Sequence, residues 1–153
     1  MNISRKYLPK SISENDRKTQ RKNIIQSRKF YKNNKYVNRK TIKSFVSKPS
    51  VHVTNAMKMY GIEKIVPSRQ LSRKTKCSIK GLKEIVKKGM GAYYSSGSRP
   101  NQTPSSWGYA RLASSITGNK ASVIDHHILV KECKPDSIAL ELSTRAYKRK
   151  MSS

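Results

Sequence analysis

Three groups of residues in this 153-residue chain are of types that do chemistry. Asp125-His126-His127 sets a carboxylate beside two imidazoles, and Cys77 and Cys133 offer two thiols. Arg99 lies in a glycine- and serine-rich run, residues 89–106, where open backbone N–H groups and a guanidinium fork suit a phosphate or carboxylate. Spacing restrains each group. Neighbouring residues on a helix point about 100° apart, so the two histidines do not easily share an ion. The cysteines lack a Cys-x-x-Cys partner, and zinc needs three or four protein ligands. No Gly-x-x-x-x-Gly-Lys-[Ser/Thr] pattern is present, which excludes a P-loop, and Gly118-Asn119-Lys120-Ala121-Ser122 mimics only its end. The eight carboxylates are scattered without a paired motif, and no Gly-x-Ser-x-Gly occurs. The expectation is a non-enzymatic protein with no catalytic residue, no metal, no cofactor and no small-molecule substrate.

Charge carries more information than these motifs. The formal net charge is +26, from 34 Lys and Arg against 8 Asp and Glu. Such a surface attracts polyanions, because neutralising phosphates releases condensed counterions. Residues 1–50 hold 15 of the cations against Glu14 and Asp16. Apolar residues make up only 35% of the chain, which implies a modest core. The two distant cysteines and the lack of a signal peptide point to a reducing compartment. No apolar run approaches the ~20 residues of a membrane span, so no membrane partner is expected.

The elements that must position these residues are mostly helical. Ser13 caps a charged helix that runs to about Lys32 and ends at Asn33-Asn34. Its apolar face, Ile24, Ile25, Phe30 and Tyr31, is too thin to bury alone. Thr41 to Val46 reads as a weak extended segment. Ser50 opens a helix to Tyr60 closed by Gly61, Ser68 opens another carrying Leu71, and Ser78 caps a third that Gly89 ends. After the Gly/Ser loop, Thr103-Pro104 starts a helix through Trp107, Leu112 and Ile116. One more follows at Ser122–Val130 and a last one from Asp136 into a basic tail. The fold class is mainly α, with little or no sheet. Two parts are expected: an extended basic N-terminal arm, residues 1–48, and a small helical domain, residues 49–153, that includes the loop.

On these elements the candidate nucleic-acid contacts are Arg17, Arg21, Lys22, Arg28, Lys29 and Lys32 in the arm. Lys80, Lys83 and Lys87 join them on the helix that Ser78 caps. The stretch Leu71–Val86 has a helix–turn–helix cadence, although Lys76 stands where that turn often carries Gly. Its plain alternative is a helical hairpin with a solvated basic face. Tyr7, Phe30, Tyr31 and Tyr36 interleave with arm cations, as stacking on unpaired bases requires, or they anchor the arm on protein. Arg99 is a candidate anion site, and the alternative is a packed structural loop.

One string is more specific. Gly89-Met90-Gly91-Ala92-Tyr93-Tyr94-Ser95-Ser96-Gly97-Ser98-Arg99-Pro100-Asn101-Gln102-Thr103 is followed by Ser106-Trp107-Gly108-Tyr109-Ala110-Arg111-Leu112-Ala113-Ser114. It resembles the signature of an uncharacterised family of small lysine-rich proteins and modules of large nucleocytoplasmic DNA viruses of algae and amoebae. Tyr7-Leu8-Pro9, Ser44-Phe45-Val46, Met57 to Gly61 and Pro67-Ser68 extend the likeness over about residues 7–133. The resemblance implies a viral product packaged in the virion, present in host cytoplasm or nucleus during assembly. The expected function is therefore a virion structural protein that contacts nucleic acid, viral DNA first, or lines the inner capsid. The rivals are a minor capsid protein whose arm clamps coat subunits, and an enzyme or host-directed factor using the Gly/Ser loop.

Overall fold

The structure, a computed structural model, describes residues 2–153. Eight α-helices follow one another: α1 (Glu14–Tyr31), α2 (Val51–Tyr60), α3 (Arg69–Thr75), α4 (Ile79–Ser95), α5 (Pro104–Ile116), α6 (Lys120–Ile124), α7 (His126–Glu132) and α8 (Ile138–Ser152). The chain is mainly α, as composition and caps predict. Among the described residues the only extended pairing is the isolated bridge between Cys77 and Cys133. Two compact units form, and neither is continuous in sequence. One contains residues up to 48 together with 90–107; the other contains 49–89 and 108–153.

The first unit corrects the expectation of a separate arm. Ser13 accepts from the Asp16 N–H at 3.2 Å and starts α1. The helix then buries a narrow, half-polar face of Gln20, Ile24 and Ser27. Such a face cannot be satisfied by apolar packing, and backbone carbonyls satisfy it instead. Gln20 Nε2 donates to the carbonyls of Tyr7 and Ser98, both at 3.1 Å, and Ser27 Oγ donates to Tyr94 O at 3.4 Å. Gly97, at φ +131°, lies so close that an added Cβ would sit 3.2 Å from both Ile24 and Tyr7. Leu8, Ile12 and Ile42 complete the core of this unit. The Gly/Ser string therefore folds with the N-terminal segment rather than with the C-terminal helices.

Residues 41–46 form no strand. Asn101 holds Ile42 at both ends, its Oδ1 accepting from Ile42 N at 2.8 Å and its Nδ2 donating to Ile42 O at 3.0 Å. Asp16 Oδ2 accepts from the Ser44 N–H at 2.8 Å. The expected loop at 89–106 is also shorter, since α4 continues to Ser95. Gly89 does not end that helix. A Cβ there would stand 2.7 Å from the Gly108 Cα, so this glycine permits two backbones to approach.

The second unit is built around Leu71, Leu82, Ile85, Leu112, Ile116 and Ile128. Ser50, Ser68, Ser78 and Ser137 each accept an N–H three residues on, at 3.0–3.4 Å. Gly61 takes the left-handed conformation after α2 at φ +62°. The single helix expected at 122–130 is two, broken at Asp125, and both α6 and α7 pack against α8. Cys77 and Cys133 form a disulfide. The thiols expected to stay apart in a reducing compartment are therefore joined, between the turn after α3 and the end of α7.

Candidate polyanion-binding site

Each residue rotates 100° about a helix axis, so residues three or four apart share a face. In α1 the buried positions 20, 24 and 27 fix one side, and Lys18, Arg21, Lys22 and Lys29, with Lys32 at the C-cap, lie exposed away from it. None of these five is ion-paired among the described residues. Glu14 is confined to the first turn of α1, and the Asp16 carboxylate is held below its usual range by the hydroxyl and the N–H of Ser44. Four of the six arm cations proposed from sequence are thus gathered on one face, with Lys18 added.

The other two are not. Arg17 donates to Leu8 O at 3.0 Å and to Pro9 O at 3.1 Å. Arg28 donates to Ser96 O through Nε at 2.8 Å and Nη2 at 2.6 Å, and to Asn2 O through Nη1 at 2.9 Å. Both guanidinium groups are committed to the backbone of their own unit. The aromatics divide in the same way. Tyr7 meets Trp107 edge-on at 5.8 Å, and Tyr31 stacks on Tyr94 at 5.6 Å. Tyr36 closes that cluster with 67% of its surface still open.

Arg99 is exposed at the rim of a cleft of about 200 Å³ within the same unit. Arg39 and Lys40 line the cleft with it. Arg39 is part-buried, with its guanidinium 3.8 Å above the Tyr93 ring. It donates to Ser98 Oγ at 3.0 Å, to Ser27 Oγ at 3.1 Å and to Tyr93 O. Its Nε is shielded and has no acceptor. Burial holds the Arg39 pKa below its ordinary value, with the Tyr93 hydroxyl acting the other way. Sequence alone does not single out Arg39 or Lys40, because two more cations in so basic a stretch carry no local signature.

In the second unit Lys80, Lys83 and Lys87 are exposed along one side of α4, opposite Leu82 and Val86. Glu84 lies among them. The turn before them has the form that a helix–turn–helix needs, since Lys76 takes the left-handed conformation at φ +58° without being glycine. That turn is tied down. Lys134 N donates to Lys76 O and Ser78 N to Glu132 O, each at 2.8 Å, and Lys76 pairs with Asp136. A second concavity, along Tyr147 to Ser152, is lined by one stretch of α8 and is open surface.

Asp125 is fully buried. It accepts from Arg111 Nη2 at 2.7 Å, Arg111 Nε at 3.0 Å and Ser115 Oγ at 2.6 Å. His126 stacks on Tyr147 and bonds Ser143 Oγ at 2.9 Å, while exposed His127 meets Lys88 at 3.2 Å. Burial, then His127, holds His126 below the usual imidazole range. Among the described residues no three His, Cys, Asp or Glu converge as a metal set would, and no helix is long and apolar enough to cross a membrane.

No curated protein and no solved structure matches the chain. One family covers most of its length, taking in α1, the Gly/Ser string, the Asp125 bonds and most of α7. With residues 5–129 matched, the chain belongs to the Family of unknown function (DUF5824).

Proposed function

We propose that this protein is a non-enzymatic structural component of a virion that binds nucleic acid, viral DNA first, through the solvent face of α1. One observation carries the reading: five cations share that face with no carboxylate paired to them. The unit that holds α1 has 16 Lys and Arg against Glu14 and Asp16, a formal +14. Lysine and arginine at helical spacing form a row of separate phosphate contacts, which give affinity and register without reading sequence. Lys80, Lys83 and Lys87 add phosphate contacts on α4. The placement in a virion, against the genome or lining the inner capsid, rests on the resemblance carried by residues 89–114.

A coat-clamping role needs a long arm that threads between subunits. Residues 2–48 are packed against 90–107, which weighs against it. The test is fluorescence anisotropy with duplex DNA across a salt series, together with the protein's position in purified particles. Binding should weaken along a log–log line with a slope of roughly −0.9 per phosphate neutralised. A flat line, or a position on coat away from the genome, overturns the reading.

A further inference from the structure

Arg39 poses a problem that its own hydrogen bonds do not solve. A guanidinium carries a charge at any ordinary pH and has five N–H donors. Arg39 gives three of them to neutral acceptors, the hydroxyls of Ser27 and Ser98 and the carbonyl of Tyr93, and rests on a neutral ring. Nε finds no acceptor at all. Taking a cation partly out of water beside no opposite charge is unfavourable, and neutral acceptors offset only part of that. Here the imbalance grows. Lys40 and Arg99 line the same cleft, neither side chain donates a hydrogen bond or meets a carboxylate among the described residues, and the lining contains no Asp or Glu. Arg39, Lys40 and Arg99 thus line one cleft whose lining contains no carboxylate.

The partner that completes such a site is a compact anion of more than one charge. A cleft of about 200 Å³ has room for a phosphate group. Guanidinium forks match phosphate oxygens, and a phosphate monoester carries nearly two charges and three free oxygens at pH 7. Thr41, Gln102 and Thr103 supply hydroxyl and amide groups around the cations, and no aromatic ring lines the cleft to stack a base. We propose that the Arg39–Lys40–Arg99 cleft binds a phosphate monoester, the terminal phosphate of a nucleotide or of a nucleic-acid strand. This is a second site, separate from the α1 face. Gln20, the α1 residue at the cleft, belongs to the buried side of that helix.

The test titrates the full chain with inorganic phosphate at constant ionic strength, followed by amide NMR and calorimetry. Saturable one-site binding is expected, with shifts centred on residues 39–41 and 98–103. Affinity should rise with pH as the added phosphate gains its second charge. Arg99→Gln and Lys40→Gln, both at exposed positions, should each weaken binding about tenfold or more while leaving the fold intact. Lys22→Gln/Lys29→Gln on the α1 face should leave it unchanged. Competition by an oligonucleotide with a 5′-phosphate, and not by the same strand without one, assigns the site to strand ends; equal competition by a nucleoside monophosphate assigns it to free nucleotides. Absence of saturation overturns the proposal, as does equal weakening by the α1 variant, which would mean a diffuse field. Duplex binding with a normal salt slope in Arg99→Gln would leave the α1 reading standing whatever the cleft does.

Discussion

Replacing Lys22 and Lys29 together with glutamine removes two of the five cations on the exposed face of α1 and its C-cap, and touches none of the hydrogen bonds that hold the helix. Glutamine and lysine have similar helix propensity, so stability should stay within about 0.5 kcal/mol. Binding should change in a defined way. Each lysine that neutralises one phosphate contributes about 0.9 to the slope of log affinity against log salt, so the double variant should lose about 1.8. Across a fourfold rise in salt, the variant should then lose roughly tenfold less affinity than the parent. The counterpart is Arg28→Gln. Arg28 is bonded to Ser96 O and Asn2 O, so its loss should lower the melting temperature and leave the slope nearly unchanged. Anisotropy with a labelled duplex, beside thermal unfolding by circular dichroism, separates the two. If the Lys22/Lys29 variant keeps the parental slope, or Arg28→Gln reduces it as much, the solvent face of α1 is not the interface.

Other consequences concern the scaffold. Asp125→Asn strips the buried partner from Arg111 and should cost about 3–5 kcal/mol in denaturant unfolding, whereas Arg111→Met/Asp125→Leu should recover much of that; a larger loss in the double variant refutes the pairing argument. Reducing the Cys77–Cys133 bond, which spans 56 residues, should lower stability by about 4 kcal/mol on the chain-entropy account, read as a lower melting temperature in reductant that Cys77→Ser reproduces. Gly89→Ala should destabilise by about 1–3 kcal/mol, although alanine is the better helix former, because its Cβ meets the Gly108 backbone. His126 is held below its ordinary pKa, so the unfolded chain takes up the proton more readily, and stability should fall as pH drops through about 6.5. His126→Asn should flatten that fall, and an unchanged pH profile would assign it elsewhere.

What could be read from the sequence was local. Ser13, Ser50, Ser68 and Ser78 announce their helices because a cap bonds an N–H only three residues away. Lys80, Lys83 and Lys87 were legible because helical spacing alone sets their common face. Misreadings came where the cause lies far along the chain. Gly89 looks like a helix end until Gly108 is seen beside it. Arg17, Arg21 and Arg28 are indistinguishable in a basic helix, yet two of them bond carbonyls of Leu8, Pro9, Ser96 and Asn2. The Arg39 cleft joins residues about 60 apart, and nothing near Arg39 marks it. Asp125 reads as a reactive group because its partner Arg111 lies 14 residues earlier, on α5 and across the turn that separates α5 from α6.

The packing of residues 2–48 on 90–107 also bears on how the protein is made. At a synthesis rate of about 5–20 residues per second, the ribosome needs several seconds to extend the chain from Lys48 to Trp107. During that interval Ile24, Gln20 and Ser27 lack the string that covers them in the folded chain. Closing a gap of this length is slow compared with helix formation, so the segment stays available to ribosomal and messenger RNA in the meantime. If the α1 face binds nucleic acid as proposed, overexpression in a cell should yield protein that carries host RNA unless it is washed at high salt.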